Sequence, residues 1–313
     1  MKLAFLYAGQ GSQRAGMGRD LFEAFPAFRE AFDAANLDFD LHRVCFEDPD
    51  SLLGQTQYTQ PCMVAFAAGV TAVLLEAGIM PEYAAGLSLG EYSALQAAGV
   101  FTAKAAVELA AYRGAAMAKA SEGRASSMTA VLMLGREALA ACCEEASSEG
   151  VVQICNYNCL GQIVIGGDAA AVARAGELAK AAGARRLLPL RVSGPFHTPL
   201  MQPASDALRA RFEGEPFGEM RFPVLFNCLG DVKDEQTSVA ELLIRQVVSP
   251  VHMEDTIRRL AELGVDTIVE IGPGRALSGF VKKTVGDAIT CLPAEDVPTL
   301  TAALEALVAK AAP

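Results

Sequence analysis

Apolar positions along the chain fall into short continuous runs alternating with stripes of helical period. "LAFLYAG" is a buried-strand run ended by Gly9, and the glycine-rich "GQGSQRAGMG" leads into helical patterning over residues 21–35. Thr59 and Pro61 mark a helix start, and "CMVAFAAGVTAVLLEAG" stays apolar on nearly every side up to Gly78, which predicts a central helix. "PEYAAGLSLGEYSALQAAG" then reads as a short apolar approach, a turn, and an amphipathic helix stopped by Gly99. Thr102 caps the next helix, "AKAAVELAAYRGAAMAKA".

The texture changes between Met128 and Ser193. Strand "TAVLML", helix "REALAACCEEASS", strands "VVQICNYN" and "GQIVIGG", helix "AAVARAGELAKAAG" and strand "RRLLPLRV" make a βαββαβ unit, the ferredoxin-like arrangement. The tight "LGQ" connection predicts a hairpin between the middle strands. Beyond it come helix "TPLMQPASDALRARF", capped by Thr198 with Pro199 in its first turn, strand "PVLFN", and helices "SVAELLIRQV" and "MEDTIRRLAEL". Strand "DTIVEIG", a "GPG" turn, helix "RALSGFVKK" and an Ala-rich terminal helix complete the chain. The pattern predicts an α/β fold in which residues 1–125 and 195–313 form the core and 126–194 an inserted subdomain.

Composition narrows this picture. With 313 residues and 52% apolar content, the chain can bury one large core and a smaller one. Its net charge of −11 argues against nucleic acid or an anionic membrane as partner. The opening apolar run is too short for a signal peptide or a span, and the eight scattered cysteines read as free thiols of a reducing compartment. Both point to a soluble cytoplasmic protein. Three widely separated histidines and no Cys-x-x-Cys pair leave no basis for a metal site, and "CNYNC" reads as strand.

"GLSLG" (86–90) has the form Gly-x-Ser-x-Gly, flanked by strand and helix as a nucleophile elbow requires, so Ser88 is the candidate nucleophile. Of the three histidines, His42 lies in a polar connection and His252 opens a helix. His197, in "VSGPFHTPL", sits at the junction of the two units just before a helix N-terminus, where partial positive charge favours a neutral imidazole. It is the preferred base over His252. The group that orients it could be a carboxylate or a backbone carbonyl. Leu89 N–H, by position, and Gln10 N–H, in "GQGSQ", are candidate oxyanion donors. "GPG" at 272–274 is an anion nest or a plain turn. Arg113 lies on the apolar stripe of Ala106, Leu109, Ala110 and Met117 with no acid at i±3 or i±4. It needs a distant carboxylate of the protein or of a ligand; in the second case the substrate is a diacid half-thioester or half-ester.

The stretches "AGQGSQRAGMGRDL", "GLSLGEYSAL", "YRGAAM", "NYNCLGQIVIGG", "VSGPFHTPLM", "RQVVSPV" and "VEIGPGRALSGF" occur in an order that spans the chain. In these the chain resembles the malonyl-CoA:acyl carrier protein transacylases of fatty-acid synthesis and the related polyketide synthase acyltransferases. The resemblance implies a hydrolase-like α/β core with a mainly parallel sheet plus the ferredoxin-like insert, and a ping-pong mechanism without metal or cofactor. Malonyl-CoA would acylate Ser88 with His197 as base, Gln10 and Leu89 would hold the oxyanion, and Arg113 the malonyl carboxylate. The acyl group would pass to the phosphopantetheine thiol of an acyl carrier protein. The resemblance also implies that backbone near Gln246 to Ser249 orients His197, and that Asn158 and Gln162 lie near the pocket. The chain departs from the family pattern in two places: Leu87 replaces the usual histidine before the serine, and His252 and Met253 follow "PV" where an aromatic is common. A serine hydrolase and a non-catalytic carrier-binding module stay open as alternatives. Arg185, Arg186 and Arg191 are candidate contacts for an acidic carrier.

Overall fold

The computed structural model describes residues 1–311 of the chain. β1 (Leu3–Tyr7) is followed by α1 (Arg19–Ala24), α2 (Pro26–Phe32) and α3 (Thr56–Glu76), then β2 (Tyr83–Gly86), α4 (Gly90–Ala97) and α5 (Ala103–Ser121). The βαββαβ stretch runs β3 (Ser126–Leu132), α6 (Arg136–Ala146), β4 (Val152–Cys159), β5 (Gln162–Asp168), α7 (Ala169–Ala181) and β6 (Arg186–Pro189). After α8 (Gln202–Phe212), β7 (Leu225–Phe226) and β8 (Asp231–Val232) come α9 (Val239–Gln246), α10 (Met253–Glu262), β9 (Thr267–Ile271), α11 (Ala276–Val285), β10 (Thr290–Ala294) and α12 (Val297–Ala311).

The first sheet is parallel, in the order β10-β9-β1-β2, and a parallel bridge from Ala84 to Val224 extends it. Its middle strand, β1, is buried at every position, as a strand with helices on both faces must be. Tyr7 is in register with both Gly86 and Ile271, so the loops after β1, β2 and β9 leave the same carboxyl edge of the sheet, where α/β folds bind ligands. The second sheet is antiparallel, ordered β4-β5-β3-β6, which is the ferredoxin-like topology. Ile163 and Ile165 pack on α6 and α7, whereas Met128, Cys155 and Val164 join the main core. One face of the second sheet is thereby packed into the main core. Arg136 of α6 adds a two-pronged ion pair to Asp255 (3.0 and 2.8 Å) and stacks 4.4 Å over Tyr157.

Several boundaries differ from those the sequence pattern suggests. The helical stripe over 21–35 breaks at Phe25, where extended backbone precedes Pro26 at the first position of α2. α3 starts at Thr56, and Pro61 lies inside it; Thr59 donates to the Leu53 and Gln55 carbonyls instead of capping. This helix is long and apolar enough to cross a membrane, yet 83% of its apolar window is buried, and it packs against α2 and α5. Thr198 does not cap a helix with its hydroxyl, which donates to the Pro195 carbonyl (2.6 Å); a single 3-10 turn, Pro199–Met201, precedes α8. "PVLFN" contributes a two-residue strand and the single Val224 bridge, and "RRLLPLRV" only four paired residues. Thr102 caps α5 as expected, accepting from Ala105 N–H.

Candidate active site

Ser88 sits on the turn between β2 and α4 with φ 52°, a left-handed conformation costly for any residue but glycine. The turn is possible because its flanking residues are glycines: a Cβ on Gly86 would come within 2.0 Å of the Gly90 carbonyl carbon. Gly9 has the same reason to be glycine, since a Cβ there would stand 2.5 Å from the Leu87 carbonyl oxygen. This lets the Gly9–Gln10 loop lie directly against the elbow. Neither Leu89 N–H nor Gln10 N–H donates to another described group; Gln10 lines the cleft, and Leu89 follows the cleft-lining Ser88. Gln10 is braced from behind, its side chain donating to Thr56 (3.0 Å).

His197, buried and itself at φ 61°, places Nε2 2.7 Å from Ser88 Oγ. Nδ1 lies 2.9 Å from the Gln246 carbonyl, and the nearby Ser249 backbone also favours a proton on the ring. A carbonyl can only accept, so Nδ1 carries the proton and Nε2 is free to accept from the serine. Of the two orienting groups the sequence left open, the carbonyl is the one present. Burial first, then the Arg113 charge, lowers the His197 pKa to about 4, against the raising pull of the Gln246 and Ser249 backbone. The neutral base therefore owes its state to burial and a neighbouring cation. The helix N-terminus invoked from sequence lies beyond the 3-10 turn.

Arg113 is the largest fully buried side chain among the described residues. Its guanidinium donates to Gln60 Oε1 (2.8 Å), Gln246 Oε1 (2.9 Å) and Ser88 Oγ (3.1 Å), and it lies 5.5 Å over the Tyr92 ring. Among the described residues no carboxylate hydrogen-bonds it, and its Nε has no partner. Burial lowers its pKa, which Tyr92 and Glu91 oppose, but the group stays a cation at any working pH. Such a cation, held by neutral amides at the foot of a cleft, is a ready partner for an incoming carboxylate.

The cleft has a volume of about 150 Å³ and is walled by apolar side chains, among them Met117, Met128, Val164 and Phe196. Asn158 reaches it with a buried, unpartnered Oδ1. Gln162 does not. Its position alternates in phase with Val164, but it lies one pleat nearer the hairpin tip, outside the lining residues. Leu87 lines the wall beside Ser88. His252 is elsewhere, paired with Asp255 (2.9 Å) and stacked on Tyr157, and His42 pairs with Asp33 (2.6 Å).

Sequence reasoning missed four residues. Gln60 ties Arg113 to Gln10, and Gln153 fixes the His197 carbonyl (2.7 Å). Asn227 accepts from Ser88 N–H (2.6 Å), and Glu91 is a fully buried carboxylate whose pKa burial pushes up to about 7, against the lowering effects of Asn227, Gln246 and Arg113. Only buried polar positions in otherwise apolar stripes, such as Gln60 in α3, could have signalled them.

The strained serine, its histidine and the α/β scaffold define a serine–histidine centre on a hydrolase-like fold. The chain belongs to the acyl transferase domain family, which matches residues 4–311. It is 42% identical over 309 residues to the malonyl CoA-acyl carrier protein transacylase of Bacillus subtilis, covering 98% of this chain and 97% of that one. Against the Escherichia coli K12 protein of the same name the identity is 38%, covering 97% and 99%. Among solved structures, the malonyl CoA-acyl carrier protein transacylase of Clostridium perfringens superposes with a TM-score of 0.95 at 38% identity, covering 99% and 98%. A malonyl-transacylase in complex with a type II polyketide acyl carrier protein gives 0.93 at 40%, covering 98% and 100%.

Proposed function

We propose that the chain is an acyl-carrier-protein S-malonyltransferase of cytoplasmic fatty-acid synthesis, moving malonyl from malonyl-CoA to a carrier phosphopantetheine thiol through an ester on Ser88. Its units are the core, 1–125 and 195–313, and the subdomain, 126–194. His197 Nε2 takes the Ser88 hydroxyl proton as Oγ attacks the thioester carbonyl. Leu89 and Gln10 N–H groups receive the oxyanion, and on collapse the proton passes from His197 to the departing CoA sulfur. The carrier thiol then gives its proton to His197 and attacks the ester, and Ser88 Oγ leaves with that proton. The Gln246 carbonyl, with Ser249, keeps the imidazole in the accepting tautomer, and Asn158 Oδ1 offers an acceptor to the substrate's amide-bearing arm. Every group this chemistry calls for is a side chain or backbone amide, so the proposed reaction requires no metal or cofactor.

The observation that carries the malonyl assignment is Arg113, a buried cation 3.1 Å from the nucleophile that no carboxylate of the described residues hydrogen-bonds. A free carboxylate on the acyl group would complete its fork. The polyketide carrier in complex with one related transacylase supports a second acceptor class for the same reaction. Exposed Arg191 lies between Leu190 and Val192 at the cleft mouth, and exposed Arg185 and Arg186 lie at the far end of β6; an acidic carrier would dock along this side. The test is the fate of the acyl group: with phosphopantetheinylated carrier present, malonyl should appear on the carrier thiol far faster than as free malonate. Equal rates in the presence and absence of the thiol would make the protein a hydrolase.

A further inference from the structure

Behind the elbow, out of reach of any substrate, lies a polar cluster that the chemistry above does not use. Asn227 follows β7 and stands beside the elbow because Val224 pairs in parallel with Ala84 of β2. Its Oδ1 accepts from Ser88 N–H (2.6 Å), and its Nδ2 donates to the Gly86 carbonyl (2.7 Å). One carboxamide therefore grips the backbone on both sides of Leu87. Its own N–H donates to Glu91 Oε2 (2.5 Å), and its carbonyl accepts from His252 N–H (2.8 Å). All four of its polar groups are thus engaged, at 1% exposure. Glu91 is fully buried one turn past the nucleophile, and its other oxygen, Oε1, has no partner. A buried carboxylate with an empty lone pair is costly, and local packing alone would favour a hydrocarbon there.

Resting on the acyl-ester role of Ser88, we infer that Asn227 and Glu91 are a positioning pair that holds the nucleophile turn in its strained conformation and withdraws Ser88 N–H from the cleft. Two consequences follow from the geometry. With the Ser88 N–H turned inward to Asn227, the amides left to face a developing oxyanion are those of Leu89 and Gln10. With φ held at 52°, Oγ stays between His197 and Arg113 instead of relaxing away. The Asn227 main chain in turn is held by Glu91, so the carboxylate acts on Ser88 through the asparagine. Gln246 closes the ring from the other side, donating to the Ser88 carbonyl (3.0 Å) while its Oε1 accepts from Arg113.

A fluorophosphonate probe, which phosphonylates the serine oxygen with loss of fluoride while His197 takes the proton, reads nucleophile reactivity directly. It carries no carboxylate, so this test succeeds or fails independently of whether malonyl is the natural acyl group. Asn227→Ala and Glu91→Ala should label Ser88 at least ~10-fold more slowly per folded molecule, with KM for malonyl-CoA changed less than about twofold, as for an effect confined to the reacting step. Glu91→Gln, which keeps an acceptor for Asn227 N–H, should recover most of that loss. Asn227→Asp fills the same volume but sets an oxygen against the Gly86 carbonyl, and should also be slow without opening a cavity. The inference is overturned if folded Asn227→Ala and Asn227→Asp label within twofold of wild type, if the loss only follows the unfolded fraction in thermal melts, or if Glu91→Gln is as slow as Glu91→Ala.

Discussion

The floor and the mouth of the cleft are built on opposite terms. On the floor, Ser88, Arg113, Gln60 and Gln246 come from separate elements and hold one another through hydrogen bonds of 2.8–3.1 Å, with Arg113 and Gln246 fully buried. At the mouth, Leu190 and Val192 are 38% and 36% exposed, and Arg191 between them makes no ion pair with a described residue. A preorganised floor can discriminate one acyl group from another, because an unmatched buried charge has no solvent to fall back on. An open, solvated mouth can admit two different carriers of one thioester arm, CoA and a protein. Substitutions should therefore affect the nature of the acyl group when made below and the identity of the carrier when made above.

The largest effect belongs to the floor. Ser88→Ala should abolish acyl-enzyme formation and lower transfer by ~10³-fold or more, measured as turnover with malonyl-CoA and carrier. Arg113→Ala should come next, reducing kcat/KM for malonyl-CoA by ~30- to 1,000-fold, the range for losing one partner of a desolvated charge pair, while acetyl-CoA gains relative to malonyl-CoA. Equal losses for both donors would make the arginine a scaffold element and erase the distinction between floor and mouth.

A third prediction concerns proton linkage on the floor. His197 is pushed down from 6.5 to about 4 and Glu91 up from 4.5 to about 7, so their effects on stability oppose each other. Between pH 6.5 and 4.5 the unfolded chain takes up a proton at the histidine that the folded one refuses, while the folded chain keeps one at Glu91 that the unfolded one has released. Their summed slope is near zero. In Glu91→Gln only the histidine remains, and stability should fall as pH drops through that window by about 1.4 kcal/mol per pH unit relative to wild type. Urea melts at several pH values check this, and parallel curves for the two proteins would contradict it.

The smallest effects belong to the mouth. Arg191→Ala, alone or with Arg185→Ala and Arg186→Ala, should raise KM for the carrier by ~2- to 5-fold, with malonyl-CoA acylation of Ser88 unchanged and the difference shrinking at high salt. A change of acyl preference in these variants would break the comparison from the other side.

The parts of this molecule visible in its sequence are those written in local periodicity. The strand, turn and helix around Ser88, the βαββαβ stretch, the Thr102 cap and the apolar stripe that isolates Arg113 all have short-range signals, and all are present. What escaped depends on long-range pairing. β10 carries Pro293 and is only half-buried at most positions, so "TCLPA" has no strand period; its place comes from the register with β9. Thr198 looked like a cap by residue type, but its hydroxyl was claimed by the turn that strains His197. Gln60, Gln153, Asn227 and the Gln246 side chain meet across separations of 44 to 158 residues, which no window of sequence contains. Gln162 was placed near the pocket by likeness to a family motif, and the length of a hairpin carries it past.

The central claim is that Ser88 carries the acyl group and that Arg113 chooses it. Intact-mass analysis of the protein after brief exposure to equimolar malonyl-CoA and acetyl-CoA, followed by peptide mapping, tests both halves at once. The expected result is a single malonyl adduct on the Ser88 peptide of wild type, no adduct in Ser88→Ala, and loss of the malonyl preference in Arg113→Ala. Equal malonyl and acetyl labelling of wild type, or a malonyl adduct that persists in Ser88→Ala, would contradict it.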